Sequence, residues 1–173
     1  MYPLITQAIG FIAMLLWLWS FQIKSSRTLV LCQTLGNTAY VIHYLMLGAY
    51  TGCISLLLSV LNNTLLSTKR VKWCQWSGWK WIFSAAFIIS SIATWKNGFS
   101  ILPCVASIAS VLANWSCNGK SIRYSKLFVS GPGWIVYNTY VHSYSGVLCE
   151  LACIGSVLIS IHRHGIKALD QES

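Results

Sequence analysis

From Thr28 to Thr68 the chain carries no acid, no lysine and no arginine; its one basic side chain there is His43. The hydrocarbon core of a bilayer takes about 20 apolar residues per helix, so this run is about two spans long. Gly48-Ala49-Tyr50-Thr51-Gly52 lies near its centre, and such a cluster predicts a turn dividing the run into two helices. The same reading gives a span at Leu4–Phe21, another at Trp81–Trp95 with a tryptophan anchor at each end, and another at Ile101–Trp115. Leu127–Ile161 is again double, divided at Ser143-Tyr144-Ser145-Gly146. Seven transmembrane helices are predicted.

Composition agrees. Charged residues make up 9% of the chain, against about a quarter in soluble domains, and 55% is hydrophobic. The formal net charge of +9 does not point to nucleic acid, because the bases stand in short clusters between apolar runs. The seven cysteines, Cys32, Cys53, Cys74, Cys104, Cys117, Cys149 and Cys153, form no CxxC pair and read as small hydrophobes. The first run lacks a basic leading segment and a small-residue cleavage site, so it reads as a span.

The bases orient the bundle. With the N-terminus outside and alternating helices, Lys24, Arg27, Lys69, Arg70, Lys72, Lys80, Lys120, Arg123, Lys126, Arg163 and Lys167 all fall inside, and Lys96 outside. A six- or eight-span count would scramble that bias.

Landmarks recur along the chain. Trp19-Ser20-x-x-x-Lys24-Ser25-x-Arg27 has a counterpart in Trp115-Ser116-x-x-x-Lys120-Ser121-x-Arg123, Tyr50-Thr51-Gly52 in Tyr144-Ser145-Gly146, and Arg70 in Arg163. The offsets drift only from 96 to 94 to 93. The predicted class is therefore an all-α integral membrane protein of two parallel three-helix repeats and a connector helix (3+1+3). Its divisions are 1–70 for the first repeat, 71–98 for the connector loop and helix four, 99–164 for the second repeat and 165–173 for a cytoplasmic tail. An odd repeat inverts its successor, and one extra helix restores the direction.

This plan resembles the SWEET, semiSWEET and PQ-loop transporter superfamily, the first unit running from Gly10 through Ser20-Phe21-Gln22-x-Lys24 to Asn62-Asn63. Ser20–Arg27, Gln33, His43 and Gly48–Gly52 are similar to the YgjV-type bacterial inner-membrane proteins. The resemblance implies alternating access and a binding asparagine in the third helix of each copy. Asn62 fits the first copy, whereas the second has Ser156. Phe21-Gln22 and Cys117-Asn118 stand where those carriers have a Pro-Gln hinge, and sugar specificity is not carried over.

Polar side chains within spans normally face other helices or water. Asn37, Tyr40 and Tyr44 share a face of the second helix, with His43 at its edge. Trp134, Tyr137 and Asn138 share a face of the sixth. The repeat aligns His43 with Tyr137 and Tyr44 with Asn138. Together with Asn62 these eight are the candidate substrate-binding residues, because aromatic rings and amides suit a small polar solute. Packing or interfacial anchoring is the competing role for the tyrosines and Trp134. His43 and Glu150 are the ionisable candidates for proton coupling, although both fall near the outer turns. Pro132, between Gly131 and Gly133, is a candidate hinge if the helix has already begun and a helix start otherwise.

No nucleophile–base pair, carboxylate cluster or metal-spaced histidine set occurs, which argues against an enzyme, a metal and a cofactor. The expected function is movement of a small polar solute across the bacterial inner membrane by alternating access. The alternative is a non-transporting scaffold or accessory subunit. The lipid bilayer is the implied partner, and homo-oligomer formation is compatible with the sequence.

Overall fold

A computed structural model describes residues 2–20, 26–67, 72–116 and 118–168. Phe21 to Ser25, Lys69, Arg70, Cys117 and residues 169–173 lie outside the described residues, as do the side chains of Arg27, Cys32, Gln33, Arg163, His164 and Lys167. Much of the first basic motif and of the tail is among them.

The protein is all-helical: α1 (Tyr2–Ser20), α2 (Ser26–Met46), α3 (Tyr50–Ser67), α4 (Trp79–Ala93), α5 (Ile101–Trp115), α6 (Gly119–Ser125), α7 (Gly131–Tyr140) and α8 (Tyr144–Ala168). A π turn, Lys126–Ser130, joins α6 to α7, so these three segments form one rod and the described residues make seven rods. Hydrocarbon offers no partner for a bare peptide group, which makes helices the solution for such runs. Gly98–Trp115 and Tyr144–His162 combine span length with mean hydropathy of 1.5 and 1.8; Leu4–Trp19, Tyr50–Leu66 and Trp79–Ala93 are shorter apolar stretches.

Several boundaries differ from expectation. The sixth rod begins at Gly119, not Leu127, because Asn118 Oδ1 accepts from the Lys120 and Ser121 N–H groups and caps the helix. Lys126 therefore sits within the rod instead of in a loop. Both double-length runs also turn earlier than predicted, at Leu47-Gly48-Ala49 and Val141-His142-Ser143, leaving Gly52 and Gly146 inside helices.

The two turns share one hydrogen-bond pattern. Ala49 N–H reaches the Tyr44 carbonyl at 2.9 Å and Gly48 N–H reaches that of Leu45; Ser143 N–H reaches Asn138 at 2.8 Å and His142 N–H reaches Thr139. This is the Schellman cap, closed by a left-handed residue: Gly48 at φ 66° and His142 at φ 57°. Glycine accepts that conformation freely, whereas a histidine there costs about 1–2 kcal/mol.

The rods close a ring. α1 packs on α2 and α8, α2 on α3, α3 on α5, α5 on α7, and α7 on α8, while α4 lies against α3 and α5. Phe83 and Phe87 of α4 bury against Cys104 and Val111 of α5 and meet Leu58 and Leu65 of α3. Lys96 Nζ donates to the Gly48 carbonyl at 2.6 Å, and Gln7 Nε2 donates to that of His142 at 2.7 Å. The start of α1, both Schellman turns and the α4–α5 link thus gather at one end of the bundle. At the other end Trp79 makes edge contacts with Trp73 and Trp76, and its indole donates to the Trp73 carbonyl.

Candidate functional site

Each Schellman cap places the same kind of position at the seam between α2 and the α7–α8 hairpin. Tyr44 and Asn138 carry the carbonyls that receive the long cap bonds, and their side chains meet: Tyr44 Oη donates to Asn138 Oδ1 at 2.8 Å. Tyr44 also stacks on Trp134 at 6.2 Å between centroids, and Tyr137 abuts both rings edge-on. The Tyr137 hydroxyl accepts from Gly52 N–H at 3.0 Å. Gly52 lies in the first turn of α3, whose amides lack intrahelical partners, so this phenol caps a neighbouring rod. A Cβ at Gly52 would fall 2.6 Å from the Tyr137 ring. Glycine there is a packing requirement.

His43 is wholly buried at a three-rod junction. Its Nδ1 lies 2.7 Å from the Thr6 carbonyl of α1, and its Nε2 lies 2.8 Å from Ser143 Oγ. A carbonyl only accepts, so Nδ1 donates, and in the neutral ring Nε2 takes the serine proton. Gly10 makes room: a Cβ there would stand 2.3 Å from Ser145 Oγ and 2.7 Å from His43 Cε1. Tyr40 packs with Ala13, Cys149 and Cys153, its hydroxyl 3.4 Å from the Ser145 carbonyl.

Six of the eight candidate residues, Tyr40, His43, Tyr44, Trp134, Tyr137 and Asn138, therefore form one cluster in the half of the seam nearest the turns. Asn37 is half-buried on α2. Asn62 stands apart, about 18 Å along α3 from Tyr50 at 1.5 Å per residue. It is buried and accepts from the Trp115 indole at 2.9 Å, while its amide lies 3.4 Å from Asn63 Oδ1. Pro132 is exposed and follows a helix already under way. Its missing N–H falls where Gly131 N–H has shifted to the Lys126 carbonyl, the i→i−5 bond of the π turn. The register change thus comes just before the proline. A separate groove of about 580 Å³ lies beside the cluster, lined by Asn97, Gly98, Phe99, Leu102, Val136 and Tyr140. Asn97 Nδ2 donates to the Tyr140 hydroxyl at its mouth.

Sequence reasoning missed an ion pair. Glu150, an ionisable candidate for proton coupling placed near the outer turn, holds Lys126 Nζ at 2.6 Å from its Oε2, with 17% and 24% of the two side chains exposed. At 1.5 Å per residue Lys126 lies about 21 Å along its rod from Tyr140, and Glu150 about 9 Å from Tyr144. The pair bridges between, about 15 Å from the turns, the middle of a layer of about 30 Å. Glu150 is the first acid of the chain, 20 residues before Asp170. That isolation was the available signal. Its partner was hidden because Lys126 read as a loop base.

The sequence profile of the Imp-YgjV family, described as a bacterial inner membrane protein, matches residues 4–167. The chain belongs to this family. Nearly the whole length is covered, including all seven rods and both Schellman turns. Membership makes the apolar exterior (Leu4, Ile89, Ile92 and Phe128 are each more than 65% exposed) a lipid-facing surface. No curated protein and no solved structure matches the chain.

Proposed function

We propose that this inner membrane protein is a carrier of a small polar solute working by alternating access, not an enzyme. The observation that carries the reading is the polar seam. His43–Ser143, Tyr44–Asn138 and Tyr137–Gly52 join opposite sides of the ring by hydrogen bonds, which can open and reform where an interlocked apolar seam would not. Tyr44 and Asn138 are 94 residues apart, the same offset that superposes the two Schellman turns bond for bond. Aligned residues that touch each other are what an axis between two parallel repeats produces. That supports α1–α3 and α5–α8 as repeats joined by α4. Lys96 as the base bonded at the turn end favours that end facing outward, with the C-terminus cytoplasmic. In this arrangement the hydrogen-bonded cluster closes the outer side.

The test is a solute-uptake screen in proteoliposomes covering sugars, polyols, amino acids and osmolytes, with Asn62 and Asn138 variants as controls. Uptake that falls in Asn138→Ala supports the carrier. Vesicles holding folded protein that accumulate none of the panel overturn it. The second reading, a scaffold or accessory subunit, draws on the mutual pairing of His43, Tyr44, Tyr137 and Asn138, which is also how membrane helices are glued together.

A further inference from the structure

The Lys126–Glu150 pair is a poor structural pin. Charges within a span are expensive, and replacing a buried ion pair by neutral groups of similar size is often neutral or stabilising. Helix pinning is done more cheaply elsewhere in this bundle by hydroxyls, amides and indoles, such as Thr94–Thr51 and Trp115–Asn62. The backbone is also irregular at this point. Lys126 opens the π turn, and its carbonyl takes the i→i−5 bond from Gly131. Such turns give up regular bonding and occur often at functional sites. Gly131 is packed so closely that a Cβ would stand 2.4 Å from the Lys126 carbonyl and 2.8 Å from Ile154 of α8, which holds the turn against Glu150's helix.

Cys149 and Cys153 lie on α8 beside Glu150, with Tyr40 against them. Two buried hydroxyl oxygens nearby in sequence, Ser125 Oγ next to Lys126 and Ser145 Oγ on the first turn of α8, have no hydrogen-bond partner among the described residues. The hydrogen-bonded cluster of Tyr44, Asn138, His43 and Ser143 stands between this level and the turns.

The charge pattern selects a solute. Parting an ammonium from a carboxylate inside hydrocarbon is tolerable only if each regains an opposite partner at once. A sugar or polyol brings no charge to either. A lone anion or cation satisfies one side chain and leaves the other bare. A molecule carrying both an ammonium and a carboxylate satisfies the two together, and the site stays neutral empty and loaded. We propose that Lys126 and Glu150 are the recognition site for a small zwitterion, Lys126 taking its carboxylate and Glu150 its ammonium. This rests on the carrier reading and names its substrate class.

The test is binding, which does not require transport. The purified full-length protein in detergent is unfolded thermally with glycine, alanine or γ-aminobutyrate, and with acetate, methylammonium and glucose at matched ionic strength. At least one zwitterion is expected to raise the Tm in a saturable way, the three single-character probes not. K126M/E150Q is expected to fold and to lose that shift. If that variant does not fold, K126R and E150D keep both charges, and at least a tenfold weaker apparent affinity is expected because the reach is altered. A shift that survives in K126M/E150Q, or no shift from any zwitterion, overturns the proposal. Binding without uptake would sink the carrier and leave the site. Neutral-solute uptake undiminished in K126M/E150Q would sink the site and leave the carrier.

Discussion

Glu150→Gln isolates the energetic claim about the intramembrane pair. The change keeps shape and hydrogen-bonding capacity but leaves the Lys126 ammonium, 24% exposed in the intact pair, without a counter-charge about 15 Å from the turns. Breaking a buried pair from one side costs about 3–5 kcal/mol, and a single charge at the centre of a span about 2.5–3.5 kcal/mol on insertion scales. Some exposure and the length of the lysine stem lower this, so about 3 kcal/mol is expected. For a chain of this size about 1 kcal/mol moves Tm by 2–4 °C, giving a fall of about 6–12 °C. Intrinsic fluorescence of the nine tryptophans during thermal unfolding in detergent reads it. Lys126→Met should fall similarly, and K126M/E150Q should recover most of the loss, so that the coupling is nearly as large as the two single effects together. Single variants with unchanged Tm, or a double variant that falls by the sum of the two, would refute a buried, mutually compensating pair.

Four further outcomes follow from particular contacts. Tyr137→Phe removes only the hydroxyl that receives Gly52 N–H, so a loss of about 1–3 kcal/mol is expected from the orphaned amide in the same assay. Gly52→Ala drives a methyl to within 2.6 Å of the same ring; combined with Tyr137→Phe its cost should fall short of additivity, whereas strict additivity would place the two effects in separate contacts. Gly10→Ala should destabilise more than alanine at the open Gly155, because its Cβ meets both His43 and Ser145, and equal Tm values would contradict the close approach of α1. A fluorescent protein fused after Ser173 should fold and fluoresce in cells and alkaline phosphatase there should stay inactive; the reverse result would invert the proposed orientation.

The number and rough limits of the rods were legible in the sequence because hydrocarbon imposes a length and a polarity that show up one residue at a time. Ile101–Trp115 emerged with the predicted ends. The polar faces were legible for the same reason, and six of the eight candidates do converge. The limits that failed were local. The apolar run favoured a start after the last base, and the Asn118 cap overruled it by satisfying two amides. The turns were read as Gly48–Gly52 and Ser143–Gly146; Gly48 does carry the first, yet Gly52 and Gly146 pack closely against Tyr137 and Asn138 inside helices, and the turn at the second site falls to a histidine.

What the sequence by itself determined, then, was a bundle of seven lipid-covered rods, because the hydrophobic and positive-inside patterns depend only on which residues stand next to one another along the chain. Which polar groups satisfy each other was decided by tertiary structure alone. His43 is bonded to a main-chain carbonyl 37 residues away, a partner no side-chain pattern announces. Lys126 meets Glu150 because a π turn holds its helix closely against α8, and such a shift in register leaves no mark on a residue-by-residue reading.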